Sequence, residues 1–171
     1  MARDGTGHGP SARATGRRRA SGIYGTIITA AILVAAGGHL PTLPLAASIV
    51  VTLLVYWVAE EYAELLGEQV ASGRLPTRPD VRAALAASWP MVSASYVPLL
   101  SLVAARLLGA SPAAAANVGL VVAIVLLTIY AWSAGRAAQL RGRQLFLITS
   151  IAAALGLLMI MLKDVVLIHL H

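Results

Sequence analysis

Apolar stretches long enough to cross a lipid bilayer recur along this chain from Gly22 onward. A helix needs about 20 residues to span the roughly 30 Å hydrocarbon core of a membrane. Only 12% of the 171 residues are charged and 58% are hydrophobic. Soluble domains have about 25% charged residues, so this chain has too few charges to cover a water-exposed surface. The sequence therefore predicts an all-α, polytopic membrane protein.

Segments rich in glycine and proline divide the apolar sequence into five parts, which predicts a bundle of five transmembrane helices. Asp80 is expected to cap the third helix, and Ser111 with Pro112 to begin the fourth. Pro90 and Pro98 are expected to kink the third helix, which either lines a polar passage or packs with its hydroxyl groups bonded to its own backbone. The five spans are expected at about residues 22–38, 43–66, 81–108, 113–138 and 144–168.

Residues 1–20 are rich in Gly, Arg, Ser and Thr, which predicts a disordered basic tail. If the tail is cytoplasmic, only Arg106 and Lys163 of the 13 basic residues lie outside. The positive-inside rule then predicts a cytoplasmic N-terminus and an external C-terminus. Because the basic residues lie at helix ends and in the tail, we expect the tail to contact anionic lipid and expect no nucleic-acid partner.

The residue types present narrow the functional classes. The chain has no cysteine and no histidine within the predicted spans, so no nucleophile–base pair can be assembled and we expect neither an enzyme nor a bound cofactor. Almost all basic residues are arginine, which favours a bacterial origin and a location in the bacterial plasma membrane. So small a bundle encloses little cavity of its own, and we therefore expect a homo-oligomer.

Four glutamates near the inner end of the second helix form the most informative polar cluster. Glu61, Glu64 and Glu68 recur at i, i+3 and i+7 and so share one face, while Glu60 neighbours Glu64. Glu61 comes early enough in the helix to face the bundle interior. Four carboxylates on about two turns repel one another unless cations neutralise them, and hard divalent cations prefer oxygen ligands.

Two interpretations of these glutamates remain open. In the first, they attract a divalent metal cation such as iron or manganese, which is then a transported substrate. In the second, the protein is a non-transporting membrane scaffold or accessory subunit whose glutamates form structural ion pairs. Transport predicts too few arginines near the carboxylates, whereas the scaffold predicts one for each. The arginines expected at the same level are Arg82, Arg136, Arg141 and Arg143.

Three stretches resemble those of a known family. Glu61-Tyr62 in the second helix matches the end of a Met-Ala-x-Gly-Glu-Tyr type signature. The start of the third helix resembles a Pro-x-x-Ala-Ala type stretch with one additional residue before the alanines, and a Pro-Leu pair follows later. The stretches read Trp57-Val58-Ala59-Glu60-Glu61-Tyr62, Pro79-Asp80-Val81-Arg82-Ala83-Ala84-Leu85 and Pro98-Leu99-Leu100. With five spans and a cytoplasmic N-terminus, the chain distantly resembles the vacuolar iron transporter family over about residues 22–166.

The resemblance implies a cation ligand at Glu61, near the cytoplasmic mouth of a transport path. Other family features differ here. Tyr24-Gly25 stands where the family has an Asp-Gly pair, and Trp57 stands at the methionine of the signature. The family's acidic cytoplasmic metal-binding insert is absent, since only Gln69 to Pro79 separate the second and third helices.

Overall fold

A computed structural model describes the backbone of residues 10–169 and the side chains of residues 15–161. The regular elements within those residues are all α-helices. In chain order they are α1 (Pro10–Ala36), α2 (Thr42–Ser72), α3 (Arg78–Ser88), α4 (Pro90–Ser93), α5 (Tyr96–Leu107), α6 (Pro112–Ala137) and α7 (Arg143–His169).

Five helical segments are long and apolar enough to cross a membrane. Four of them are single helices, and the segment from Arg78 to Leu107 combines α3, α4 and α5. The predicted all-α fold with five spans is therefore confirmed. The orientation of the two termini stays a prediction.

The first helix begins earlier than the sequence pattern predicts. Because α1 starts at Pro10, the prediction of a disordered tail is wrong for residues 10–20, while residues 1–9 lie outside the described part of the chain. Two arginines explain the difference. Arg17 pairs with carboxylates on α2, and Arg19 donates a hydrogen bond to the Ser133 carbonyl oxygen at 2.9 Å. These tertiary contacts hold a segment that is too polar to order itself.

The third span is interrupted at the prolines. Pro90 has no N–H group for the carbonyl of Ala86, so the helix breaks at Trp89 before α4 begins. Ser88 donates its hydroxyl to the Ala84 carbonyl oxygen at 3.3 Å. Ser95, in the turn between α4 and α5, donates its hydroxyl to the Val92 carbonyl oxygen at 2.8 Å. These hydroxyl contacts match the packing alternative for the kinked helix.

The short helix α4 packs against α1 at close range. A Cβ atom placed on Gly25 would lie 1.9 Å from the Met91 carbonyl oxygen, so only glycine permits this approach. Thr29, one turn later on the same face, is fully buried and donates its hydroxyl to the Gly25 carbonyl oxygen at 2.8 Å. The small residues of α1 therefore set how closely the first and third spans approach.

The apolar core lies between α1, α2, α4, α5 and α6. Its largest fully buried side chains include Leu33, Leu45, Ile49, Leu53, Met91 and Leu102. Helix α6 contributes mostly small residues, among them Ala115, Ala116 and Ala123, which let neighbouring backbones come close. The helix ends of α2 and α3 are thereby held in a defined position relative to α1.

The helix starts agree only in part with the predicted caps. Ser111 caps α6 as expected, accepting a hydrogen bond from the Ala114 N–H at 3.2 Å. The prediction that Asp80 caps the third span is wrong, because Thr77 occupies that position and α3 begins at Arg78. Asp80 instead accepts the Thr77 backbone N–H at 2.9 Å from within the first turn, which is the acidic half of a capping box.

Candidate cation site on the second helix

The glutamates lie in the second half of α2, which extends well past its apolar part. Glu61 comes 19 residues after Thr42, which at about 1.5 Å per residue places it about 28 Å along the helix axis. That distance is close to the thickness of the hydrocarbon core. The helix ends at Ser72, where Gly73 adopts a left-handed conformation (φ 66°) and donates its N–H to the Gln69 carbonyl oxygen. The cluster therefore lies near one membrane boundary.

Glu61 is the most buried charged residue among the described side chains, with only 2% of its surface exposed. One carboxylate oxygen, Oε1, accepts a hydrogen bond from Arg17 Nη2 at 2.7 Å. The other, Oε2, is buried and accepts none. The expectation that Glu61 faces the bundle interior is thus confirmed, and half of its carboxylate is left without a donor.

Arg17 bridges two glutamates of the cluster. Besides Glu61, its two terminal nitrogens contact both carboxylate oxygens of Glu64 in a bidentate pair. Arg17 is 26% exposed and Glu64 is 39% exposed, so solvent reaches this second pair. The bridge joins positions 44 residues apart in sequence and ties the start of α1 to the end of α2.

The other two glutamates differ from this pair. Glu60 is partly buried, and its Oε2 atom is buried without a hydrogen-bond partner. Glu68 is exposed, so water stabilises its charge. The four candidate residues are therefore not equivalent: Glu60, Glu61 and Glu64 form one group around Arg17, and Glu68 stands apart in solvent.

The arginines expected to neutralise the glutamates do not do so. Across the part of the chain with described side chains, the salt bridges are those of Arg17. Arg82, Arg141 and Arg143 are exposed, and Arg136 stacks over the Trp132 ring at 5.2 Å. None of these four arginines forms a salt bridge with a glutamate among the described side chains.

Sequence analysis missed Arg17 because it was assigned to a disordered tail. One feature of the sequence could have indicated its role: Arg17 precedes the apolar segment that starts at Gly22 by little more than one helical turn. Continuing the first helix backward by that turn places an arginine at the same level as the glutamates.

The charges of the central group do not balance. Glu60, Glu61 and Glu64 carry three negative charges when ionised, and Arg17 supplies one positive charge. The group therefore has a net charge of −2 when all three are ionised, and Glu60 is the one of the three without an ion pair among the described side chains. No set of three histidine, cysteine, aspartate or glutamate side chains within residues 15–161 is arranged to hold a metal ion. A metal would therefore need side chains to move, Arg17 first of all.

Water can reach the bridge from one side. An open cleft of about 480 Å³ lies between α2 and the start of α3. Its polar lining comes from Arg17, Glu64, Glu68 and Asp80, while the opposite wall is formed by alanines of α3. The buried Glu61 does not itself line this cleft.

A tryptophan contact keeps α2 aligned with the third span one turn before the glutamates. Trp57 donates its indole N–H to the Ser88 hydroxyl at 3.0 Å, and its ring meets Trp89 edge to face at 5.1 Å between centroids. Trp57 is thus a packing residue between α2 and the third span.

His39 is exposed in the turn after α1. The side chains of Lys163, Asp164, His169 and His171 lie outside the described residues.

Comparison of the chain with protein-family models, with curated proteins and with solved structures finds no match in any of the three.

Proposed function

We propose that this chain is a transporter-like integral membrane protein that handles a divalent metal cation, iron or manganese, at the glutamates of α2. The observation that carries the proposal is the buried carboxylate of Glu61, which is 2% exposed and has one oxygen without a hydrogen-bond donor. A buried charge in a membrane segment is costly, and such residues commonly mark ion paths. The distant resemblance to vacuolar iron transporters also implies that Glu61 is a cation ligand.

The charge balance supports a divalent ion. With Arg17 in place, Glu60, Glu61 and Glu64 leave two negative charges uncompensated. One divalent cation carries the charge that would neutralise them, and carboxylate oxygens are the ligands that such ions prefer. In this proposal Arg17 acts as an internal counter-ion, which holds the carboxylates together between transport events and gives way when the metal arrives.

A second candidate function has an observation of its own. Arg17 joins α1 to α2 through two carboxylates, and no three metal-ligating side chains in the described segment converge. Both facts favour a non-transporting scaffold or accessory subunit in which the bridge is structural. The number of arginines argues against this alternative, because a scaffold predicts one arginine for each glutamate and Glu60 has no arginine partner.

The cellular setting belongs to the same proposal. We place the N-terminus in the cytoplasm and the C-terminus outside, because that orientation puts eleven of the 13 basic residues inside. The arginine bias favours a bacterial plasma membrane, where the basic segment before α1 would contact anionic lipid. A homo-oligomer would supply the enclosed path that one small bundle lacks.

The test is Fe²⁺ and Mn²⁺ flux into liposomes that contain the purified full chain, compared with its Glu61→Gln variant. Glutamine keeps the shape of the side chain and removes its charge. The matched control is Glu68→Gln, which makes the same change at the exposed end of the same cluster. We expect flux to fall about tenfold or more in Glu61→Gln, since contacts to a charged group contribute roughly 1.5–3 kcal/mol, and to change little in Glu68→Gln.

Background flux in the wild-type protein would refute transport and leave the scaffold, provided that circular dichroism and gel filtration show a folded sample. Equal losses in the two variants would also count against it, because they would indicate attraction of ions to surface charge rather than a site at Glu61.

A further inference from the structure

A second cleft lies on another side of the glutamate cluster, between α1 and α2. It is lined by Tyr24, Tyr56, Ala59 and Glu60 and has a volume of about 450 Å³. None of these residues takes part in the Arg17 ion pairs or lines the cleft at Arg17. The cleft therefore does not include the Arg17 bridge, but it shares Glu60 with the glutamate group of the proposed metal site.

Two aromatic rings form walls of the cleft. The rings of Tyr24 and Tyr56 meet edge to face, with centroids 6.3 Å apart and planes at 78°. Both side chains remain open to their surroundings, at 44% and 47% exposure. Aromatic rings attract cations through their negative π faces, and both rings line this cleft.

A carboxylate completes the cleft. Glu60 follows Tyr56 by one helical turn, so the two side chains lie on the same face of α2. Glu60 is half-buried and lines the cleft. Its Oε2 atom is buried without a hydrogen bond, so it is not the atom that a ligand in the open cleft would contact first. Arg17 forms its ion pairs with Glu61 and Glu64 and not with Glu60. The negative charge of Glu60 thus has no ion-pair partner within the described structure.

We propose that the cleft of Tyr24, Tyr56 and Glu60 binds an alkylammonium group. A carboxylate beside two aromatic faces suits a cation that carries methyl or methylene groups, because the rings contact the alkyl part while the carboxylate faces the charge. A bare divalent metal is a poor fit, since it takes several oxygen ligands and only one carboxylate lines the cleft.

The position of the cleft along the membrane normal limits which ammonium compounds can reach it. Glu60 lies 18 residues after Thr42, about 27 Å along α2, near the boundary of the hydrocarbon core. Ammonium groups are found at this level in two forms, as phospholipid headgroups that carry ethanolamine or choline and as small free amines. Both share the chemistry that the cleft recognises.

The experiment uses the full chain in nanodiscs made only of phosphatidylglycerol, which has no ammonium group. Choline and ethanolamine are titrated, and binding is followed by saturation-transfer NMR of the ligand methyl and methylene signals. The variants are Glu60→Gln, Tyr24→Leu and Tyr24→Phe. The control is Tyr62→Leu, an exposed tyrosine on the same helix that does not line the cleft.

We expect saturable binding by the wild type, weakened about tenfold by Glu60→Gln and about threefold to tenfold by Tyr24→Leu. Tyr24→Phe keeps the aromatic face and should bind as the wild type does, as should Tyr62→Leu. Potassium at equal concentration should not compete. Nanodiscs that also contain phosphatidylethanolamine distinguish the sources: loss of choline binding there assigns the cleft to a lipid headgroup, and unchanged binding assigns it to a free amine.

Absence of saturable choline and ethanolamine binding by the wild type would overturn the proposal, as would equal affinities in Glu60→Gln, Tyr24→Leu and the control. The result is independent of metal transport, because Tyr24→Leu is expected to leave Mn²⁺ flux unchanged. Wild-type protein that binds choline without moving metal would refute transport alone.

Discussion

Replacing Arg17 with methionine tests whether one arginine holds α1 and α2 together. Methionine keeps the length and much of the apolar contact of the side chain but removes its charge and donors. Glu61 would then be buried with neither oxygen bonded, and Glu64 would lose its bidentate partner.

The expected cost follows from the burial of the two carboxylates. Removing one partner of a fully buried ion pair costs about 3–5 kcal/mol, because the remaining charge stays buried without compensation. Here Glu61 is 2% exposed, but Arg17 is 26% exposed and Glu64 is 39% exposed, so water screens part of the interaction. We therefore expect Arg17→Met to lower the free energy of unfolding by about 2–3 kcal/mol.

Equilibrium unfolding in mixed micelles of increasing SDS content measures this difference, with helix content followed by circular dichroism. Arg18→Met is the matched control, because Arg18 is the neighbouring arginine and is exposed. Its effect should lie within about 0.5 kcal/mol of zero.

A double variant separates the ion pair from the general loss of packing. Adding Glu61→Gln to Arg17→Met removes the uncompensated charge, so about half of the lost stability should return. If Arg17→Met is as stable as the Arg18→Met control, or if the effects of the two substitutions simply add, the bridge does not stabilise the fold as argued.

Three further substitutions probe the packing that positions the site, each measured by the same SDS titration. Gly25→Ala should destabilise the protein by about 3 kcal/mol or more, because its Cβ would overlap the Met91 carbonyl oxygen, and a stability equal to that of the wild type would contradict the close approach. Gly67→Ala is its control on α2, where a Cβ meets nothing within 4 Å, so stability should rise by up to about 1 kcal/mol from helix propensity. Trp57→Phe removes the hydrogen bond to Ser88 and should cost about 1 kcal/mol, while a gain in stability would show that the bond contributes nothing.

The three consecutive arginines before the first apolar segment have different roles in the folded chain. The segment Arg17-Arg18-Arg19 has the composition of a solvated tail or of an orientation signal. In the folded chain its members have different surroundings: Arg17 binds two carboxylates, Arg18 is exposed, and Arg19 donates to a carbonyl of α6. A run of like charges can therefore contain one residue with a specific structural partner.

Structural features that depend on residues close together in the sequence could be predicted from the sequence. The number of spans follows from hydropathy, because every helix in a bilayer must satisfy its own backbone hydrogen bonds and expose apolar side chains. Turns at glycine and proline, the Ser111 cap and the break before Pro90 follow from local backbone chemistry. The burial of Glu61 followed from its place on the helix.

The neighbours of the glutamates were decided only by tertiary structure. Sequence analysis gives depth along the membrane normal, and at that depth it offered four arginines as partners, none of which pairs with a glutamate among the described side chains. Which arginine faces Glu61 depends on how the helices are arranged and rotated in the membrane plane, and that arrangement is set by contacts such as the one between Gly25 and Met91. Those contacts join residues far apart in sequence, so they cannot be predicted from hydropathy or helical periodicity. The chain by itself determined five helices and an acidic cluster, and packing alone chose Arg17 as its partner and placed Tyr24 and Tyr56 beside Glu60.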